Sequence, residues 1–253
     1  MRVYIAGRAI PAPLRSWAEE SGFEVATADS PAAGEVLVGP TGLEIDIQRE
    51  KWICQFGFDR IFESCFLSIG LPMEQHAQSV RDLFSIIGPV EYAKSIEPAH
   101  NAGCYDELFK IASNFCKRKI TSLVDLGCGP GTILESSVPH TGLEILGFDF
   151  VKENLRAANM RGLITLDEAE FSTLSRGRFD AILCAYVMHY ESMSTEFIRF
   201  VSGLLAPGGV WVSNFHKGKG LTSFRSQIST ITDLTTDKCS SQFGPVIAVI
   251  RSC

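Results

Sequence analysis

The stretch Leu123-Val-Asp-Leu-Gly-Cys-Gly-Pro-Gly-Thr132 joins an apolar run to three alternating glycines, and it indicates the local structure more strongly than any other segment. Gly127, Gly129 and Gly131 carry no Cβ, so the backbone can turn sharply and approach a ligand closely. A helix that begins after such a loop would offer free N–H groups to that ligand. The pattern therefore predicts a strand, a ligand-binding loop and a helix in succession.

The spacing of the glycines and the acid before them bear on which ligand the loop holds. The dinucleotide fingerprint is Gly-x-Gly-x-x-Gly, whereas Thr132 stands here at the position of its third glycine. The carboxylate of Asp125 would repel a pyrophosphate, but it would attract an ammonium or sulfonium group. The loop therefore favours a cationic adenosine cofactor over a dinucleotide.

Downstream of residue 119, short β-rich runs alternate with helical segments, which is the pattern of a parallel sheet covered by helices. Strands are predicted at residues 120–126, 143–150, 163–166, 179–187 and 209–215. Helices are predicted at 151–160 and 196–205, from apolar residues at helical spacing. The triplet Pro207-Gly-Gly209 is expected to end the second helix before the fifth strand.

The preceding residues, 1–119, differ from this alternating pattern and divide into two predicted regions. Residues 1–50 are predicted to form a small β/α appendage, with strands near 3–6, 23–28 and 35–38 and a helix at 11–21. Residues 51–119 carry apolar residues at three- and four-residue steps and are predicted to be helical. Core packing and a lid over a small-molecule site are both open for these helices. The third predicted region is 120–253.

Composition and charge narrow the classes of partner. Twenty-nine Asp and Glu outweigh 23 Lys and Arg, for a net charge of -6, which argues against nucleic-acid binding. The eight cysteines include no Cys-x-x-Cys pair, so we expect reduced thiols and no metal site. Charged residues interrupt the longest apolar stretch, 52–71, and the N-terminus lacks a signal-peptide pattern. A cytoplasmic protein without a membrane partner is expected.

The segment Val124-Asp-Leu-Gly-Cys-Gly-Pro-Gly131 resembles the first motif of class I S-adenosylmethionine (SAM)-dependent methyltransferases, including the acid and all three glycines. The resemblance continues, in the family's order, through residues 147–150, 166–170, 179–190 and 204–212. It implies a Rossmann-like α/β fold for residues 120–253, with a mostly parallel seven-stranded sheet. The N-terminal α/β and helical extension, which matches no motif of the family, is expected to act as a lid. The family also adds an antiparallel hairpin, for which only 245–251 is a strong strand candidate, so the sixth strand stays open.

The resemblance also implies the cofactor, SAM, and the residues that bind it: Asp125, Gly127, Cys128, Gly129, Gly131, Asp149, Phe150, Asp167, Glu168, Ala169 and Ala185. Asp149 is expected to bind the ribose hydroxyls, because a carboxylate can accept two hydrogen bonds, with Phe150 beside the adenine. The acidic turn after the third strand is expected to read the adenine amino group. The choice between Asp167 and Glu168 for that contact is open.

Methyl transfer is a direct SN2 displacement that needs alignment and exclusion of water, and a base only when the acceptor must lose a proton. His189 and Tyr190 follow the fourth strand, with Tyr186 just before them. His189 is the first candidate for the base, and His216 after the fifth strand is the second. Tyr105 is expected where related enzymes place an aromatic ring over the sulfonium.

Several functions are open at this stage. The first is a SAM-dependent methyltransferase acting on a small molecule, with no nucleic-acid or membrane partner and with homodimerisation undecided. The alternative is an enzyme of the same fold that cyclises or transfers the aminocarboxypropyl arm and releases methylthioadenosine, which the unfamiliar N-terminal region motivates. A non-catalytic binding module and a dinucleotide oxidoreductase are weaker alternatives. Motifs for methylating nucleic-acid bases are absent from the sequence.

Overall fold

In a computed structural model the chain divides into two units, Met1–Ser95 and Ile96–Cys253. The alternating β-rich runs and helices form a seven-stranded sheet in the second unit. The structure describes residues 2–5, 24–27, 36–39, 42–45, 77, 80, 81, 84, 88–90, 92, 93 and 98–253. The helix predicted at 11–21 lies outside the described residues, as does most of the helical region predicted between 51 and 97.

The first unit contains a four-stranded sheet with the strand order β2-β1-β3-β4. Its strands are β1 (Arg2–Ile5), β2 (Glu24–Thr27), β3 (Val36–Gly39) and β4 (Gly42–Ile45). Strand β1 is parallel to β2 and β3, whereas β3 and β4 are antiparallel. The three predicted strands are observed with small differences at their ends, and β4 was not predicted.

The second unit contains the alternating elements. In chain order these are α1 (Pro98–Phe115), β5 (Ser122–Leu126), β6 (Glu144–Phe148), α2 (Lys152–Met160), β7 (Ile164–Leu166), α3 (Glu168–Ser172), β8 (Phe179–Cys184), α4 (Thr195–Gly203), β9 (Leu205–Asn214), α5 (Leu221–Ile228), β10 (Leu234–Cys239) and β11 (Val246–Arg251). The sheet order is β10-β11-β9-β8-β5-β6-β7. Strands β5 to β9 are parallel, and β11 is antiparallel to both of its neighbours. The predicted Rossmann-like sheet is confirmed.

Strand β10 is present, although the sequence analysis left open whether the family's sixth strand would form. Its residues read Leu-Thr-Thr-Asp-Lys-Cys, and the four central side chains are exposed. Among the described residues the strand lies at the edge of the sheet and pairs with β11 alone. A solvent-facing edge strand needs no apolar run, and its Lys protects the edge from further pairing, so its signal in the sequence is weak.

The fifth parallel strand begins earlier than the glycine-proline pattern predicted. Strand β9 starts at Leu205 and contains Pro207-Gly-Gly209, whereas α4 ends at Gly203. The pairing of β8 with β9 shifts register between Phe179 and Ala181, so an irregularity in the ladder accommodates the proline. The triplet Pro207-Gly-Gly209, predicted to separate the helix from the strand, therefore lies inside the strand at the irregularity in the ladder.

Helix α1 packs on the sheet, although its residues fall within the stretch predicted as a helical lid region. Cys104, Leu108 and Ala112 are fully buried, in one apolar cluster with residues of β5, β8 and β9. The helix therefore belongs to the unit Ile96–Cys253, which begins before residue 120. The lid function of the other predicted helices stays a prediction.

Alternation along β5 determines which side chains face α1. Leu123 lies in the apolar cluster that contains α1, whereas Val124 and Leu126 lie in the cluster on the opposite face. Successive side chains of a strand point to opposite faces, so Asp125 shares the face of Leu123. The acid of the glycine motif is thereby turned toward α1.

Candidate functional site

The glycine loop connects β5 to a 3-10 helix, Thr132–Glu135, rather than to the predicted α-helix. The residues that follow include Ser136, Ser137 and Pro139, which favour turns over a continued helix. The N–H groups of Gly127 and Cys128 both donate to the carbonyl of Phe148 at the end of β6. These two N–H groups are already paired within the protein, so here the loop can offer a ligand its shape rather than hydrogen-bond donors.

Close packing requires glycine at Gly127. Its φ is +77°, and a Cβ there would overlap the Cγ2 methyl of Val187 and lie 3.2 Å from the Cγ1 methyl. An alanine would therefore meet both backbone strain and a steric clash. The loop and the segment after β8 are in contact at this point.

The carboxylate of Asp149, just after β6, holds the glycine loop. Oδ2 accepts hydrogen bonds from the Gly129 N–H at 2.9 Å and from Nδ2 of Asn154 at 3.4 Å. Oδ1 accepts from the Val151 N–H at 2.8 Å. Burial raises the pKa of Asp149, although these hydrogen bonds oppose the rise. A carboxylate has about four acceptor positions, so Asp149 keeps capacity for a ligand hydroxyl.

Asp125 and Tyr105 form a buried pair beneath the loop. The Tyr105 hydroxyl donates to Oδ1 of Asp125 at 3.0 Å, and the two residues are 3% and 0% exposed. Oδ2 of Asp125 has no hydrogen-bond partner among the residues that the structure describes. The pKa of Asp125 is raised to about 8, chiefly by burial and in smaller part by Asp149, although the hydrogen bond from Tyr105 opposes the rise. The predicted Tyr105 thus contacts the predicted Asp125.

The acidic turn predicted to read adenine begins helix α3. Asp167 accepts from the Glu170 N–H at 2.9 Å, and the Glu170 side chain accepts from the Asp167 N–H at 3.0 Å. This reciprocal pair is a capping box. Asp167, Glu168 and Ala169 are all exposed at this end of the sheet. Capping occupies one oxygen of Asp167, and the choice between Asp167 and Glu168 for adenine stays a prediction.

The remaining predicted cofactor residues differ in what they can present. The side chains of Cys128 and Ala185 are buried, so only their backbone is available to a ligand. Phe150 is partly buried, with its ring 5.1 Å from that of Phe197 and 5.0 Å from that of Phe148. Its contact with adenine stays a prediction.

His189 and Tyr190, predicted as catalytic, are buried in a 3-10 helix after β8, with their rings 4.0 Å apart. Burial, and to a smaller extent the charges of His216, Lys219 and Lys217, lower the pKa of His189 to about 3. Its imidazole is therefore neutral near pH 7. Nδ1 of His189 has no hydrogen-bond partner within the described part of the chain.

A second group of aromatic and imidazole rings surrounds Tyr186. The Tyr186 ring lies 6.1 Å from that of His100 and 5.9 Å from that of His216, which is partly exposed. Tyr186 has a φ of +57°, and its N–H donates to Oδ1 of Asn214 at 2.7 Å. These elements gather at the carboxyl ends of β8 and β9.

Three residues near the site were not predicted from the sequence. Asn214 is a buried polar residue at the end of the apolar strand β9, and this placement was an available signal. Asn154 lies five residues after Asp149, where the first turn of α2 brings it back to the carboxylate. His100 had no local signal, because only the packing of α1 on the sheet brings it near Tyr186.

The neutral state of His189 predicts a pH dependence of stability. Its pKa in the folded protein lies below the ordinary value of 6.5, so protons bind preferentially to the unfolded chain. This contribution is complete above pH 6.5 and is lost as pH falls toward 3. Between pH 7 and pH 4, wild type should lose about 3 kcal/mol of unfolding free energy more than His189→Gln. Urea denaturation of both proteins measures this difference, and equal pH slopes would contradict it.

The described residues contain no group of three or more His, Cys, Asp or Glu side chains placed to hold a metal ion. None of the helices in the described part of the chain is both long and apolar enough to cross a bilayer.

Comparison with known proteins adds to this geometry. The profile of the family described as "Methyltransferase domain" matches residues 124–211. Ubiquinone biosynthesis O-methyltransferases are 28% identical over 95 residues in Xanthomonas oryzae pv. oryzae and 29% over 104 residues in Ralstonia nicotianae. These alignments cover 34% and 38% of this chain, and 39% and 43% of the relatives. The chain thus spans about two fifths of the length of these curated relatives.

A solved SAM-dependent methyltransferase from Aquifex aeolicus has the same fold, with a TM-score of 0.50 and 16% identity. The superposition covers 64% of this chain and 97% of that one. The matched profile begins at the glycine motif and ends within β9, so it spans the strands that carry the site. This segment is therefore similar in sequence to the methyltransferase-domain family, and the chain shares its fold with a solved SAM-dependent methyltransferase.

Proposed function

We propose that this protein is a SAM-dependent methyltransferase that methylates a small molecule by direct SN2 transfer. The observation that carries the proposal is the pair of acids at the glycine loop, Asp125 and Asp149. Asp149 keeps acceptor capacity at the loop, and Asp125 has a buried oxygen without a partner among the described residues. A cofactor with ribose hydroxyls and a cationic arm fits these two groups.

Each part of the cofactor has a proposed partner. Asp149 would bind the ribose hydroxyls, and Asp125 would lie toward the ammonium and sulfonium end. The turn at Asp167 and Glu168 would read the adenine, with Phe150 beside it. When bound, SAM would supply a methyl group on a positively charged sulfur. The neutral thioether, S-adenosylhomocysteine, is a good leaving group for displacement. The protein's part is to hold acceptor and donor in line and to exclude water.

We propose a hydroxyl-bearing acceptor at the carboxyl ends of β8 and β9. The names of the curated relatives describe O-methyl transfer in ubiquinone biosynthesis. A hydroxyl must lose its proton during transfer, so a base within reach of the acceptor assists the reaction. His216 is partly exposed beside Tyr186, whereas His189 is buried and has a pKa of about 3. We therefore place His216 ahead of His189 as the base, with Tyr186 and Tyr190 shaping the acceptor site.

Mass spectrometry of the purified protein with SAM and a panel of phenols and catechols tests the proposed reaction. We expect S-adenosylhomocysteine together with an acceptor that has gained one methyl group. His216→Gln should lower kcat by about a hundredfold and leave the KM for SAM nearly unchanged. Formation of methylthioadenosine in place of S-adenosylhomocysteine would overturn the proposal.

The other functions considered receive no support. The names of the relatives describe methyl transfer, so cyclisation or transfer of the aminocarboxypropyl arm is set aside. A cytoplasmic location stays a prediction, and homodimerisation stays undecided.

A further inference from the structure

Asp125 is a fully buried carboxyl group with no cation paired to it among the described residues. The ionisable groups around it come from α1, the glycine loop, the end of β6 and β8; they are Cys104, Tyr105, Cys128, Asp149 and Cys184. Burial raises the pKa of all three thiols, so they are neutral near pH 7. A buried carboxylate is costly without a counter-charge. Asp125 therefore needs either a proton or a cation.

Tyr105 determines which oxygen of Asp125 is available. Its hydroxyl donates to Oδ1 at 3.0 Å, while Oδ2 is left without a described partner. Burial, with the negative charge of Asp125 as a second cause, raises the pKa of Tyr105 well above its ordinary value. The phenol is therefore a permanent donor. Helix α1 keeps it in place, since its neighbours Cys104 and Leu108 are buried against the sheet.

We propose that Tyr105 is a positioning residue for the cofactor, fixing Asp125 so that Oδ2 receives the cofactor's cationic arm, and that Asp125 releases a proton to solvent when the cofactor binds. This inference rests on the proposed function, because it requires a cationic cofactor at the loop. It assigns to Tyr105 a role through its hydroxyl, beneath the loop, rather than through the face of its ring.

The proton balance gives the inference a measurable consequence. In the free protein the proton lies on the carboxyl group of Asp125, and in the complex the carboxylate faces a cation while the proton has passed to the buffer. With a free pKa of about 8, Asp125 is mostly protonated at pH 7. SAM affinity should therefore increase as the pH rises to about 8, above which Asp125 has already lost its proton.

Isothermal titration calorimetry in buffers of different ionisation enthalpy counts the released protons. At pH 7, SAM binding to wild type should release about one proton, because a group with a pKa one unit above the pH is mostly protonated. Methylthioadenosine carries neither the sulfonium nor the amino acid arm, and it should release none. Asp125→Asn should remove the release seen with SAM.

Tyr105→Phe tests the positioning role. We expect SAM affinity to fall by on the order of tenfold, because a hydrogen bond to a charged group is lost. Methylthioadenosine affinity should change less than about twofold, and the KM for SAM should rise more than kcat falls. Ser113→Ala is the matched control, because it also removes one hydroxyl from α1, at an exposed position bonded to the carbonyl of Phe109. This control should leave both affinities unchanged.

The outcomes separate the inference from the proposed function. SAM binding without proton release would overturn the inference and leave the methyltransferase proposal in place. Equal losses of SAM and methylthioadenosine affinity in Tyr105→Phe would show a general structural effect and would overturn the positioning role. If wild type binds methylthioadenosine but not SAM, both are overturned.

Discussion

Replacement of Asp149 by alanine is expected to weaken SAM binding about a hundredfold. A ribose hydroxyl that donates to the acceptor position left on the carboxylate is worth about 1.5–3 kcal/mol, and a loss of 3 kcal/mol exceeds a hundredfold in affinity. The substitution also removes the acceptors of the Gly129 and Val151 N–H groups, so the loop loses support as well. Calorimetric titration of wild type and variant with SAM measures the effect.

A cycle of ligands and variants separates ribose recognition from loop damage. Methylthioadenosine and its 2′,3′-dideoxy counterpart are titrated into both proteins, with the exposed Glu153→Gln as a matched surface control. Loss of the two hydroxyls should be costly in wild type and nearly neutral in Asp149→Ala. If the dideoxy compound loses the same affinity in both proteins, Asp149 does not bind the ribose.

Gly127→Ala is expected to destabilise the protein by about 2–4 kcal/mol. The added Cβ would clash with Val187, and overpacking of this kind costs about 1–3 kcal/mol. The φ of +77° adds strain of about 1 kcal/mol for a residue with a side chain. Chemical denaturation measures the loss, and SAM binding should weaken with it because the loop has to shift.

Two further variants isolate the steric part of this effect. Gly142 also has a positive φ, +75°, but a Cβ there has no atom within 4 Å, so Gly142→Ala should cost only the strain. Val187→Ala combined with Gly127→Ala should recover part of the lost stability, because the clashing methyl groups are removed. Equal costs for the two single glycine variants, without recovery in the double variant, would contradict the described packing.

The strands and the acids at their ends were predictable because each depends on local sequence. Strands β5, β6 and β8 are largely buried apolar runs, and Asp125 and Asp149 stand at fixed places within or just after them. In a parallel sheet the carboxyl ends of neighbouring strands meet at one edge, so the loop and Asp149 were expected to lie together. Register confirms this, since β5 pairs with β6 along its length.

What the sequence did not predict depends on contacts between distant segments. The hydrogen bond from Tyr105 to Asp125 spans 20 residues and arises because α1 packs on the face of the sheet that Asp125 occupies. Burial of His189 likewise reflects its surroundings after β8, which no local pattern showed. The edge strand β10 was missed for the opposite reason, because exposure removes the apolar pattern that identifies a strand.

Equilibrium binding of SAM and NADH to the wild-type protein tests whether the glycine loop with Asp125 and Asp149 holds a cationic adenosine cofactor. We predict binding of SAM at about one molecule per chain and an affinity for NADH at least about a hundredfold weaker, because a pyrophosphate gives the buried Asp125 no counter-charge and is repelled by its carboxylate when Asp125 is ionised. Tighter binding of NADH than of SAM would show that the loop holds a dinucleotide instead.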